Sequence, residues 1–534
     1  MLRYFNQITS AFVIAVYMGF AAAAAIAASY GLESLRIVQV FDLDEYRIVS
    51  LMQRHLEERS LNPHGFYIYG NLYDAVGYAA IATLQRAGWN VDVHLVGLVL
   101  RLMSLCFGVL AALALAYLAT LLKIPSAVAM IGSLLLLTMP DFAVYMKTVH
   151  PDTLQAALIV IAISIAFRKP GLSAAFCGGL LAGLAFATKY SGAFVLPICI
   201  AALLLPHLGS KLNVRLATEL IAQCAIVVLA FLAVFAVTNP YALNDLSGLR
   251  DTMSFMAHYV ATGHGKLEAA DPFAWLEPAR HEFGSLGVGL LVLGFVLLVV
   301  QIFVAVRTSG IRSSILCPQI QKRLILIIFV GLGLLHLVLT VRIRVPRYAY
   351  HLLPCWIALA LVGWYDFFVW FTRNRVRSTQ FISLVLIGLA VPQMWYDLRA
   401  LGKDTRKQQA PGLVSGNALA NQLDASQRIM ADMYTYVPTK FASVEFIGGI
   451  TRRDIASSKP DVVIFNQMTT GRAAWKTAGS KFKDQRFSVD MSYGDRATES
   501  KELITSFLRD DNWAVAYEDD LVIAFSAKKA SSFT

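Results

Sequence analysis

A chain of 534 residues that is 57% hydrophobic and only 15% charged, with a mean hydropathy of +0.58, is not a soluble globular protein. A net charge of +11 would suit a nucleic-acid partner in a soluble protein, but Lys and Arg here sit in short polar gaps between apolar segments, a pattern that reports membrane topology and argues against nucleic acid. Cysteine chemistry is also excluded as an organising principle: Cys106, Cys177, Cys199, Cys224 and Cys355 fall within apolar segments, Cys317 lies in a basic gap, and no pair has metal-ligand spacing.

Eleven apolar segments, each near the length that crosses about 30 Å of hydrocarbon, follow one another over the first 400 positions. The first, Ile8 to Tyr30, is too long for a signal-peptide core and is read as an uncleaved span. The next five are Leu95 to Leu121, Ser126 to Met139, Thr153 to Phe167, Leu172 to Thr188 and Ser191 to Leu208. The last five are Leu220 to Thr238, Leu286 to Val306, Leu324 to Val341, Ala349 to Phe371 and Phe381 to Trp395. With the N-terminus in the cytoplasm, the inner gaps hold Lys123, Arg168 and Lys169, Lys211 and Arg215, the run Arg307 to Arg323, and Arg373, Arg375 and Arg377, as the positive-inside rule requires. Fusing Leu172 to Leu208 into a single span would put Arg373, Arg375 and Arg377 outside, so the break at Lys189-Tyr190 is favoured.

The same parity sends the long loop 31–94, the regions Pro140 to Asp152 and Asn239 to Gly284, and the tail beyond Tyr396 to the outer side. Within the first loop, Ile48 to Leu56 has helical apolar spacing and reads as an interfacial helix. The membrane domain is expected over 1–400, with a small soluble α/β domain over 401–534. That tail alternates short β-like runs (Arg428 to Met433, Asp461 to Phe465, Trp513 to Tyr517, Leu521 to Phe525) with amphipathic segments such as Lys501 to Leu508.

Several polar residues fall where a bilayer disfavours them. Asp44-Glu45 follows the first span; it is either a solvated turn capping a helix or a site carboxylate pair. His150-Pro151-Asp152 precedes an apolar helix, where Asp152 is either a cap or a second site carboxylate. Lys189 stands at an outer turn, either snorkelling or binding an anion. Arg342, Arg344 and Arg347 form the one basic cluster in a short outer gap, and guanidinium forks suit phosphate oxygens. Arg101, inside the second span, either joins them or pairs with a carboxylate. Together these describe a cavity that binds a phosphate-bearing lipid and removes a proton from a second reactant. No nucleotide-binding, metalloprotease or serine-hydrolase signature is present.

At these residues the chain resembles the integral-membrane GT-C glycosyltransferases, specifically the protein O-mannosyltransferase and aminoarabinose-transferase-like group (glycosyltransferase family 39 and relatives). The matching pieces are Asp44-Glu45, the aromatic segment Phe66 to Tyr73, Arg101 to Ser104, His150-Pro151-Asp152, Gly183 to Gly192, Asn239-Pro240-Tyr241 and Arg347 to Pro354, in order over about the first 360 residues. The resemblance implies an α-helical GT-C fold of about eleven transmembrane helices and transfer of a sugar, with inversion, from a polyprenyl-phosphate donor to a lipid, glycan or protein acceptor. It places Asp44 as base with Glu45 beside it, and Lys189, Arg342, Arg344, Arg347 and Arg101 at the donor phosphate. Asp152, His150, Tyr69 and Tyr348 would line the cavity. It implies no organic cofactor and no fixed metal, although Asp44, Glu45 and Asp152 could gather a divalent cation if they converge. The lack of an extended outer-loop domain points to a bacterial enzyme of the inner membrane with a periplasmic tail. A lipid-linked sugar flippase or transporter is the rival from another class, and a non-catalytic scaffold for the tail a third; transporters often show repeated halves, which this sequence lacks.

Overall fold

The computed structural model describes residues 2–29, 45–168, 171–207, 213–262, 273, 275–342, 346–390, 411–432, 435–438, 440–441, 443–447, 449–466, 495–519 and 522–528. Among the described residues the first half contains helices and no strand: α1 (Leu2–Ala28), α2 (Glu45–Glu58), α3 (Leu72–Arg86), α4 (Val93–Leu121), α5 (Ser126–Leu137), α6 (Pro140–Tyr145), α7 (Asp152–Ala166), α8 (Leu172–Thr188) and α9 (Leu196–Leu204). Then come α10 (Val214–Thr238), α11 (Pro240–Asn244), α12 (Leu246–Thr262), α13 (Leu276–Ser309), α14 (Ile311–Leu316), α15 (Pro318–Thr340), α16 (Leu353–Thr372) and α17 (375–390). Local chemistry sets several starts. Asp92 and Asn213 accept the backbone N–H of Leu95 and Leu216 at 2.8 Å to cap α4 and α10. A proline opens α6, α9, α11, α15 and α16, where its missing N–H costs nothing.

Among the described residues six helical stretches are long and apolar enough to cross a membrane: Val93–Leu121, Tyr190–His207, Val214–Thr238, Leu276–Ser309, Pro318–Thr340 and Leu353–Thr372. Shorter apolar helices cover Ile14–Ala28, Ser126–Leu137, Asp152–Ala166 and Leu172–Thr188. Ten of the eleven expected segments fall on these, and the last falls on α17, with 391–395 outside the described residues. The chain is a multi-pass membrane protein. Its short helix α7 is buried along nearly its whole length, from Asp152 to Ala166, between α4 and α8, which explains why it is apolar all round. The peripheral helices invert the pattern of a soluble protein: Leu229, Val237, Phe303 and Leu332 are all more than half exposed, a surface that only lipid can cover. Helices α13 and α16 meet backbone to backbone, because a Cβ on Gly363 would overlap the carbonyl oxygen of Gly294.

The regions expected to be outer loops carry more helix than their sequences advertise. The first loop holds α2, longer than the anticipated Ile48 to Leu56, and α3, which was not anticipated; α6, α11 and α12 fill the next two. These helices are short or amphipathic, so they lack the sustained apolar run that marks a span.

The tail adds α18 (Pro411–Gln422), β1 (Ile429–Asp432), β2 (Val444–Ile447), α19 (Arg452–Ser458), β3 (Val462–Asn466), α20 (Asp495–Phe507), β4 (Trp513–Glu518) and β5 (Val522–Ala527). The sheet order is β2-β1-β3-β5-β4, with β1 parallel to β2 and β3, and β5 antiparallel to β3 and β4. Alternate residues point to opposite faces. Ile429, Ala431, Val462 and Ile464 pack with Leu419 and Leu423 at α18, while Met430, Val463 and Phe465 pack with Leu503, Ile504 and Phe507 of α20. The expected α/β tail is therefore present, with strands where four of the runs were expected; β2, only four residues long, was missed. The expected boundary at 401 lies outside the described residues.

Candidate functional site

The site candidates gather at one end of the bundle, where α2 begins, α7 begins, α8 ends and α16 is approached. Glu45, the first residue of α2, is wholly buried and faces Arg101 of α4. Arg101 donates from Nε to Glu45 Oε1 at 2.9 Å and from Nη2 to Oε2 at 2.8 Å, and its Nη1 donates to the Ala28 carbonyl at 2.9 Å. The backbone N–H of Val149 adds a 2.6 Å bond to Glu45 Oε1. Of the two readings open for Arg101, pairing with a carboxylate is the one the geometry realises. This fork-on-carboxylate unit ties the end of α1, the start of α2, α4 and the segment before α7 together.

That segment carries His150. Ser104 Oγ lies 3.3 Å from the His150 carbonyl and 3.4 Å from its N–H, and Tyr73 holds Ser104 in turn at 2.8 Å. The His150 ring is enclosed by Tyr69 and Tyr145, with ring centres at 5.5 and 5.2 Å. Arg347 Nη1 lies 3.2 Å from His150 Nε2. On the other side of the ring, His150 Nδ1 lies 3.0 Å from Asp152 Oδ2. Asp152 is the first residue of α7 rather than its cap, and its side chain makes no capping bond, which corrects the capping reading. Its other oxygen accepts from Lys189 Nζ at 2.6 Å. Lys189 is only 15% exposed at its side chain, so it does not snorkel to the surface.

Lys189 stands where α8 gives way to a 3-10 turn over Tyr190–Val195. Gln155 fixes this turn, donating to the Lys189 carbonyl at 2.7 Å and bonding Ser191. Tyr348 presents its face to Lys189 at 5.2 Å and to Arg347 at 5.9 Å. The result is two cations over aromatic faces flanking one buried carboxylate and an imidazole, an arrangement suited to an oxyanion with a proton donor or acceptor nearby.

Of the residues singled out in the sequence, Lys189, Asp152, His150, Arg347, Tyr69 and Tyr348 converge. Glu45 and Arg101 form the supporting pair. Arg342 has its backbone N–H on the Val260 carbonyl at 2.9 Å. Asp44 and Arg344 lie outside the described residues. Two contributors escaped sequence reasoning. Gln155, a polar residue in an apolar run, was a usable signal; Tyr145 offered none, because aromatic residues near membrane interfaces are common. Glu45 and Asp152 each already face a cation, so they are poor ligands for the divalent cation that converging carboxylates could have gathered. Among the described residues, Asp141, His281 and Glu282 instead have ligand atoms within 4.8 Å of one another.

No family model matches the chain, and no curated protein matches it in sequence. Solved structures do. ArnT from Cupriavidus metallidurans bound to undecaprenyl phosphate is similar at 12% identity and a TM-score of 0.52, over 96% of this chain and 98% of that one. Its apo state is similar at 12% identity and 0.52, over 96% and 97%. The apo oligosaccharyltransferase of Archaeoglobus fulgidus is found at 12% identity and 0.49, over 86% of this chain and 70% of that one. The agreement with ArnT along nearly the whole of both chains shows the fold of the GT-C membrane glycosyltransferases.

Proposed function

We propose that this protein is an inverting glycosyltransferase of the bacterial inner membrane. It takes its sugar from a polyprenyl-phosphate donor and delivers it to a lipid, glycan or protein acceptor on the periplasmic side. The observation that carries the reading is the Lys189–Asp152–His150–Arg347 cluster, two partly enclosed cations set at one bundle end over the faces of Tyr348 and Tyr69. The fold adds support, since a protein that shares it binds undecaprenyl phosphate.

The chemistry follows from charge. Breaking the bond between the anomeric carbon and the donor's phosphate oxygen adds negative charge to the departing polyprenyl phosphate, and Lys189 and Arg347 neutralise it as it develops. The acceptor hydroxyl attacks from the opposite face and loses its proton to Asp44. Glu45 is better assigned to positioning than to proton transfer. Its carboxylate is committed to Arg101, and that pair fixes the first residue of α2.

The test uses purified protein, a panel of synthetic polyprenyl-phosphate sugars and candidate acceptors, with donor consumption and product measured together. Asp44→Asn is expected to lower kcat by about 10²–10⁴-fold, and Arg347→Ala or Lys189→Ala by about 10²–10³-fold. A wild-type protein that consumes no donor across the panel rejects the enzyme reading, whereas normal transfer by Asp44→Asn rejects only the assigned base.

A further inference from the structure

We propose that Asp141, His281 and Glu282 form a divalent-cation site of the zinc class that clamps the start of α13 to α6, apart from the cluster assigned to the donor. Glu282 carries most of the argument. It is 4% exposed and neither of its carboxylate oxygens completes a hydrogen bond, although the backbone N–H groups of Asp141 and Phe142 at the start of α6 and the Asp141 carboxyl stand beside it. It lines a cavity of about 320 Å³ whose walls, among the described residues, include Leu135, Phe283, Leu291, Trp364 and Phe368 and contain no Lys or Arg. An ionised carboxylate in that position is costly unless a cation meets it.

The neighbours supply what a cation needs. His281 Nε2 lies 3.2 Å from Asp141 Oδ1, and two ligands bound at about 2.0–2.1 Å on a tetrahedral zinc are separated by about 3.3 Å. The Glu282 carboxylate stands as the third arm, with all three ligand atoms within 4.8 Å of one another, so an ion bound there would draw the arms inward to close the set. One imidazole with two carboxylates favours zinc over magnesium or calcium, which take oxygen ligands. Access is open, because the side chains of His281 and Asp141 are 58% and 30% exposed, leaving room for a water as fourth ligand.

The clamp has a consequence at the other end of α6. That six-residue helix begins beside Asp141 and ends at Tyr145, whose ring packs on His150 at 5.2 Å and lies 5.8 Å beneath the Arg347 guanidinium. An ion held between α6 and α13 fixes the wall on which the donor-facing imidazole rests. The three residues are therefore positioning residues and touch no reacting atom.

Full-length protein carrying no oligohistidine tag, stripped with chelator and dialysed against zinc chloride, decides the matter by elemental analysis. Wild type is expected to retain one more equivalent of zinc than either His281→Ala or Glu282→Gln. Cobalt-loaded wild type should show the visible absorption of a four-coordinate site, lost in both variants. His281 is exposed and Gln keeps the volume of Glu282, so both variants should fold, which the unfolding temperature of the chelated proteins checks. Equal zinc in all three proteins places the ion elsewhere and overturns the proposal; no zinc in wild type overturns it equally.

Discussion

A fully enclosed guanidinium is tolerable only when its charge and its donors are satisfied, and Arg101 meets both conditions through Glu45 and the Ala28 carbonyl. Glu45→Gln is therefore expected to destabilise the protein by about 3–5 kcal/mol by stranding that charge. Adding Arg101→Met should recover part of the loss in denaturant unfolding, and a double variant no more stable than the single one would show that the two are not coupled. His55 presents the opposite case, a 1% exposed imidazole whose Nδ1 has no partner. Burial lowers it from its ordinary value to about 4. A depressed value of this kind contributes stability that is complete above about pH 6.5 and is lost as pH falls through 4, by on the order of 2–3 kcal/mol. His55→Phe should flatten the acid limb of a stability–pH curve, and an unchanged limb would assign it to other groups. Arg101 was visible in the sequence as a charge inside a span, whereas His55 reads there as part of the polar face of an interfacial helix and is buried instead; the partner of Arg101 could not be named, because Glu45 lies 56 residues away.

At the scale of elements, the turn before α3 shows how a loop is held against a span. Gly70 donates its N–H to the Thr188 carbonyl at 3.2 Å, and a Cβ there would overlap the Ala187 carbonyl oxygen. Gly70→Ala should push the turn off the end of α8 and carry Tyr69 away from His150. An activity loss of about tenfold or more is expected, with about 1–3 kcal/mol of stability. Gly19→Ala, where a Cβ meets nothing within 4 Å, serves as the control; equal activity in the two variants would dismiss the contact. The sequence placed Gly70 in a notable aromatic segment, and the break at Lys189 was legible from charge parity. What the break is for was not legible, since a snorkelling lysine and a lysine turned inward onto Asp152 have the same sequence.

For the whole molecule, the alternation of basic gaps makes a sidedness prediction. Alkaline phosphatase fused after Lys211 or Arg375 should be inactive, and fused after Asp251 active. Activity after Arg375 would reject the two-span reading of Leu172 to Leu208. The sequence by itself determined the membrane class, the succession of apolar segments and the α/β character of the tail, because segment hydropathy and residue alternation are local properties written in contiguous residues. Only the tertiary structure decided that Arg101 belongs to Glu45, that Asp152 joins Lys189 and His150 instead of capping its helix, and that Asp141 meets His281 and Glu282. Those outcomes depend on which helix ends converge in space, and for groups withdrawn from water the partner supplied by a distant segment determines whether a charge is a burden, a brace or a site.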